Sequence, residues 1–333
     1  MAKLHCNKIA KAKHISVVTP CFNEQDCIVL FYDKVSEVLS ALDGYTFSIL
    51  FIDDGSTDTT MNEIKRLEAL YGAGKVQYVS FSRNFGKESA IYAGLTSAKG
   101  DLVVLMDADL QHPPGLLPEM LAAIEEGYES CAAYRKDRKG EPPVRSFFAR
   151  KFYGINNSIS SVSMNPGATD FRLMTRKMVD AVISLNETER FTKGLFQWVG
   201  FSVKWIMFTN VERADGQTKF SLFTLFKYAI NGIIAFSTAP LRIASVLGVL
   251  IVTSAFAYML YILLTTIIFG VKTTGFATVY VLVLFLGGII ITLLGIIGEY
   301  IARIYLEVKR RPAFVMRESN ISHQKNDELH NRG

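Results

Sequence analysis

The sequence predicts an α/β fold: a doubly wound sheet domain followed by two C-terminal transmembrane helices. Three observations predict it. Apolar runs suited to inner strands alternate with helix-spaced apolar residues from His14 to Tyr134. Turn residues sit where several of those strands end, as in Asp53-Asp54-Gly55-Ser56 and Pro113-Pro114. Finally, charge is segregated: between Arg242 and Glu299 the only charged residue is Lys272.

Taken in order, His14–Phe22 is an apolar strand, and Ile28, Phe31, Val35, Val38, Leu39 and Leu42 mark a helix after it. Phe47–Ile52 is a second buried strand, followed by a helix from about Thr59 to Tyr71. Lys75–Phe81 is a third strand, Ser89–Ser97 a short helix and Leu102–Met106 a fourth strand. Leu116–Glu126 reads as a helix and Glu129–Tyr134 as a strand. RKDRKGEPPVRS then forms a charged, Pro/Gly-rich loop. Arg145–Ser161 looks helical, and Thr169–Thr175 is a strand or turn. Lys219–Phe236 is apolar around Lys227, which fits an interfacial helix or, alternatively, a core helix. The polar tail from Arg317 is expected to be disordered.

The runs Ile243–Val271 and Thr273–Gly298 each exceed the ~20 residues that cross a bilayer. Their separator, Gly270–Gly275, suits a tight hairpin. A composition of 50% hydrophobic and 20% charged residues is too apolar for an ordinary soluble enzyme and too charged for a pure membrane bundle. Arg242 precedes the first span and Arg303, Lys309, Arg310 and Arg311 follow the second, so both termini and the sheet domain are expected in the cytoplasm. The start, MAKLHCNKIAKAKH, lacks the apolar segment of a signal peptide. Cys6, Cys21, Cys27 and Cys131 show no metal or redox spacing and are taken as structural. A net charge of +5, with basic residues beside the spans, suits anionic lipid better than nucleic acid.

Val103–Pro114 reads VVLMDADLQHPP and places Asp107 and Asp109 where a buried strand runs into a loop. In open α/β sheets, ligands gather at the carboxyl ends of strands. Two hard oxygen donors there suit Mg²⁺ or Mn²⁺, which would hold a diphosphate; a polar turn with a helix cap is the plainer alternative. Asp53 and Asp54 likewise suit an Asx turn. Gly-x-Gly-x-x-Gly is missing after the first strand, where PCFNEQ stands, which excludes a nicotinamide-dependent dehydrogenase.

In order and spacing, VVTPCFNE, FIDDGSTD, FSRNFGKESAIYAGL and MDADLQHPP resemble the family 2 glycosyltransferases, whose GT-A fold is a doubly wound mixed sheet. TDFRLM, GEYIARIYLEVKRRP and the two spans narrow the resemblance to polyprenyl-phosphate glycosyltransferases. These include the bactoprenol glucosyltransferases and, more distantly, dolichyl-phosphate mannose synthase. The resemblance covers roughly His14 to Arg317. It implies a cytoplasmic catalytic domain over 1–215, a juxtamembrane interfacial region over 216–240, a transmembrane hairpin over 241–302 and a basic segment and tail over 303–333.

The resemblance implies inverting transfer of a single sugar, glucose favoured, from a UDP-sugar to undecaprenyl phosphate at the cytoplasmic face of the inner membrane. The product would be a lipid-linked sugar for cell-envelope glycan modification. It makes Asp107, Asp109 and Asp170 catalytic, with Asp109 the direct metal ligand and Asp107 beside it. Pro20, Phe22, Glu24, Asp53 or Asp54, Arg83 and Lys87 would meet the nucleotide. An ionised lipid phosphate calls for cations, and Arg135, Arg138, Arg172, Arg190, Lys193 and Arg213 are candidates. The two spans leave room for a homo-oligomer. Two rivals remain: the same chemistry with GlcNAc or another sugar, and a non-catalytic membrane scaffold. A processive synthase would carry Gln-x-x-Arg-Trp, which Gln197-Trp198-Val199-Gly200-Phe201 does not match.

Overall fold

The computed structural model describes residues 12–135, 167–185, 187–188, 190–208, 239–269 and 275–321. They divide into a sheet domain, which includes the stretch from Pro312, and a pair of long helices.

In the sheet domain, β1 (Lys13–Cys21), β2 (Tyr45–Asp53), β3 (Val76–Phe81) and β4 (Leu102–Leu105) are parallel. The helices α1 (Ile28–Ser40), α2 (Thr60–Tyr71) and α3 (Lys87–Ser97) connect them. A single turn of 3₁₀ helix at Pro114–Leu116 leads into α4 (Leu117–Glu125) and then β5 (Ser130–Arg135). Next come β6 (Ala168–Thr175), α5 (Arg176–Ile183), α6 (Thr192–Trp198) and β7 (Val203–Phe208). The eight-stranded sheet runs β7-β5-β6-β4-β1-β2-β3-β8, with β8 at Met316–Ser319. β6 is antiparallel to β4 and β5, and β8 is antiparallel to β3, so the sheet is mixed.

Strand alternation builds two cores. Val17, Ile49, Phe51 and Val104 pack with Phe31 of α1, Ile64 of α2 and Met120 of α4. Val18, Leu50, Ile52, Val103 and Leu105 face the other way, toward Ile91 of α3, Met178 of α5 and Phe196 of α6. This is why the central strands read as continuous apolar runs: both faces are covered. From β1 the chain proceeds outward through β2 and β3, then returns to β4 on the other flank, opening a crevice at the carboxyl ends of β1 and β4.

The helices α7 (Ala239–Phe269) and α8 (Phe276–Lys309) carry apolar stretches at Ala244–Phe269 and Phe285–Lys309, with mean hydropathies of 2.3 and 2.0. Both are long and apolar enough to cross a membrane, and Val252, Ile267 and Ile291 are exposed. Such exposed apolar surface suits lipid rather than water.

One expectation is corrected. Residues after Arg317 were expected to be disordered, yet β8 and the residues to Ile321 are ordered against β3. The reason is local: Phe314, Met316 and Ile321 pack on the second core, while Arg317 and Glu318 face outward to ion-pairing or hydrogen-bonding partners. Thr169–Thr175 is resolved as a strand, whereas α5, α6 and β7 were not foreseen. The expected helix at Arg145–Ser161, most of the loop before it, the interfacial helix at Lys219–Phe236 and the Gly270–Gly275 connection lie outside the described residues, apart from its last glycine.

Candidate active site

Next to β1 at the carboxyl edge of the sheet stands the turn that follows β2. Asp53 accepts from Ser56 N at 3.0 Å and from Ser80 Oγ at 2.7 Å. Asp54 accepts from Phe85 N at 2.7 Å and Gly86 N at 2.9 Å, bonds that organise the loop between β3 and α3. Burial pushes the Asp54 carboxyl up, and these two amides pull it back. Both side chains are almost wholly buried, and each of their four oxygens accepts a hydrogen bond from the scaffold. Between them and the loop lies Gly55 at φ +70°, where a Cβ would come within 2.4 Å of the Arg83 carbonyl carbon.

That loop ends on Lys87, the first residue of α3. Its Nζ donates to Asp107 at 2.8 Å and to Asp170 at 2.6 Å, and Lys193 Nζ stands 3.6 Å from Asp170. The register explains how Asp170 gets there: the β4–β6 pairing ends at Leu105 with Arg172, and Asp107 and Asp170 each lie two residues beyond that last pair, on the same side of it. Burial alone would raise the Asp170 pKa, but Lys193 and Lys87 outweigh it and hold the carboxyl well below the usual carboxylate range. Burial disfavours the Lys87 ammonium too, and Asp107 and Asp170 overcome it, raising that pKa above the ordinary lysine value. Two carboxylates and two lysines thus form an alternating cluster.

Asp109 is partly exposed and accepts from Gln111 N at 3.1 Å, a local turn. Between them Leu110 adopts φ +56°, an uncommon conformation for a bulky residue and a form of strain that gathers at functional sites. His112 is buried, stacked on Phe171 at 5.4 Å, and its Nδ1 finds no partner among the described residues. Arg135 Nη2 donates to Gln111 Oε1 at 3.1 Å, which brings one predicted cation to this turn.

The other predicted residues divide. Pro20 is buried at the end of β1, Phe22 is exposed, and Glu24 N donates to Thr60 Oγ1 at 2.9 Å. Arg83 is exposed, 4.0 Å from the Phe85 ring. Arg172 is fully buried over the Phe196 ring at 4.0 Å, and burial lowers its pKa to about 10. Arg190 is buried, donates to the carbonyls of Val182 (3.0 Å) and Leu185 just past α5, and covers Tyr92, while its Nε finds no partner among the described residues. Arg138 and Arg213 lie outside the described residues.

Sequence reasoning missed Glu88. This half-buried carboxylate accepts from Thr192 N at 2.9 Å and from Thr192 Oγ1, pinning the start of α6 and hence its next residue, Lys193. The only signal was its adjacency to Lys87 in FGKES. Gln111 and His112 were likewise passed over, although they stand in the same DADLQHPP motif.

The donor set fits a divalent metal that shares its coordination with a substrate. Among the described residues no three His, Cys, Asp or Glu side chains converge on one point. Mg²⁺ and its like need no such cage, since one or two carboxylates plus substrate phosphates suffice. Asp109 and Asp107 are such a pair of hard oxygen donors.

Residues 16–183 match glycosyl transferase family 2, and residues 239–304 match the GtrB C-terminal hairpin. The chain is 39% identical to a prophage bactoprenol glucosyl transferase homolog of Escherichia coli K12, over 91% of this chain and 98% of that one. It is 38% identical to the bactoprenol glucosyl transferase of Shigella phage SfII, over 92% and 98%. Among solved structures, it overlaps glucosyl-3-phosphoglycerate synthase from Mycobacterium tuberculosis at TM-score 0.43 and 19% identity. That overlap covers 67% of this chain and 79% of that one.

Proposed function

The chain belongs to glycosyl transferase family 2, and from that premise we propose that it moves one sugar, glucose first among the candidates, from a UDP-sugar to undecaprenyl phosphate at the cytoplasmic face of the inner membrane. The observation that carries the site assignment is the Lys87–Asp107–Asp170–Lys193 cluster at the carboxyl end of β4, beside Asp109. The lipid acceptor is supported by the names of the relatives and by the two long apolar helices. The cytoplasmic orientation is supported by the basic residues that flank those helices.

Asp109, with Asp107 beside it, would hold Mg²⁺ or Mn²⁺, which neutralises the diphosphate that leaves with the nucleotide. Lys87 fixes Asp107 in place and is a cation for phosphate oxygens arriving at the crevice. The acceptor is a phosphate monoester whose second pKa is about 6, so it arrives ionised and needs no strong base. Positioning and charge then dominate the catalysis. Asp170, held ionised by two lysines, orients the reacting groups rather than taking a proton. Arg135, already at the Asp109 turn, and Lys193 are the acceptor-side cations. Attack opposite the departing nucleotide inverts the anomeric carbon, so an α-linked donor gives a β-linked product.

The test is incubation of protein-containing membranes with undecaprenyl phosphate and a panel of radiolabelled UDP-sugars, with and without EDTA. One sugar should appear in the lipid fraction, β-linked by its anomeric NMR coupling, and EDTA should abolish it. Folded protein that yields no lipid-linked product from any sugar overturns the proposal.

A further inference from the structure

The residues that return to the sheet after α8 do more than complete it. β8 is tied along β3: Asn320 Oδ1 accepts from Tyr78 N at 2.8 Å, its Nδ2 donates to Val76 O at 2.9 Å, and Lys65 pairs with Glu318 at 2.7 Å. Strand pairing alone would stop where β3 stops, at Phe81. Here the register shifts between Ser80 and Phe81, and the contacts run on past the strand end into the loop that leads to Lys87. Ser82 N donates to Val315 O at 2.9 Å, and Arg317 Nη2 donates to Ser82 O at 3.1 Å. Phe314 stacks on Phe81 with ring centroids 4.7 Å apart, and Phe81 meets the edge of Phe85 at 5.8 Å.

On its opposite flank the same loop is held by Asp54, through the Phe85 and Gly86 amides, and by the close approach of Gly55 to Arg83. Ser82–Gly86 is therefore clamped from two sides, and the next residue is the lysine that bridges Asp107 and Asp170.

We propose that Phe314 and Arg317 are positioning residues: through Ser82, Phe81 and Phe85 they set where the Lys87 ammonium stands, and so tune the hold on the donor diphosphate. The identity of the substrate in this inference rests on the function proposed above. The bracing of the loop does not.

Two readouts separate these layers. In Phe314→Ala, amide hydrogen exchange of Ser82–Lys87 should speed up while that of α1 and α4 stays as in the parent. The KM for the UDP-sugar should rise about tenfold, with the KM for the lipid phosphate unchanged. Phe314→Tyr, which keeps the stacked ring, should restore both. Arg317→Ala removes one exposed hydrogen bond and should move both readouts the same way by a smaller factor, which keeps the test open if Phe314→Ala does not fold. Unchanged exchange in the loop, or a fall in kcat alone with both KM values kept, overturns the inference. If the parent protein transfers no sugar, the function fails, and the exchange measurement still decides the bracing.

Discussion

Lys87 sits between the carboxylates of Asp107 and Asp170, and its loss has a predictable electrostatic signature. Asp170 has its pKa depressed by folding and Lys87 has its pKa raised. The stabilisation from each is therefore complete between the ordinary carboxylate and lysine values, about pH 4 to 10. It is lost as pH falls toward the folded-state pKa of Asp170 or rises through that of Lys87. Lys87→Met removes the lysine that donates to Asp170 at 2.6 Å and leaves Lys193 at 3.6 Å, so that carboxyl titrates higher than in the parent. Acid unfolding followed by circular dichroism in metal-free buffer should have its midpoint at a higher pH than in the parent. Sugar transfer should fall at least tenfold, by about 1.4 kcal/mol or more. An unchanged acid midpoint would show that the cluster does not form.

Among the elements, the turn after β2 and the loop after β3 depend on each other, and Gly55 is where they touch. Replacing it with Ala adds a Cβ that must push the Arg83–Asn84 backbone aside, and adds the cost of φ +70° on a residue with a side chain. Gly55→Ala should lose about 1–3 kcal/mol in urea unfolding and weaken nucleotide binding; parent-like values for both would mean that the loop yields freely. The same elements show what the sequence disclosed. β1, β2 and β4 were legible because burial on both faces writes an uninterrupted apolar run. β8 was not, since it is an edge strand of four residues with a single apolar side chain, Met316, and its Arg317 and Glu318 read as solvent-exposed tail. Asp107, Asp109 and Lys87 were visible in their motifs. Their meeting with Asp170 was not, because it depends on antiparallel pairing across a long stretch of chain. Nor can a sequence show that Arg190 turns two of its donors to the carbonyls of Val182 and Leu185.

At the scale of the molecule, residues on either side of the helical pair belong to one sheet: β3 precedes them and β8 follows. A sheet cannot be hydrogen-bonded through a bilayer. If these helices cross the membrane, the number of crossings between β3 and β8 must be even. With the sheet domain on the cytoplasmic side, as proposed, a membrane-impermeant thiol reagent applied to sealed cells should label Lys272→Cys but not Arg311→Cys, which should react only after permeabilisation. Labelling of Arg311→Cys in sealed cells would contradict that orientation, and labelling of both positions in sealed cells would contradict the two-crossing arrangement.

The placement of β8 also carries a consequence for synthesis. A ribosome makes the strands in chain order, and the partner that closes the outer edge of β3 emerges only after both long helices have been translated. Until then the nascent sheet has a bare edge and a loop clamped on one side only. The enzyme thus cannot finish its own active domain before the segment that takes it to lipid exists, and maturation is tied to delivery by the order of the genetic message.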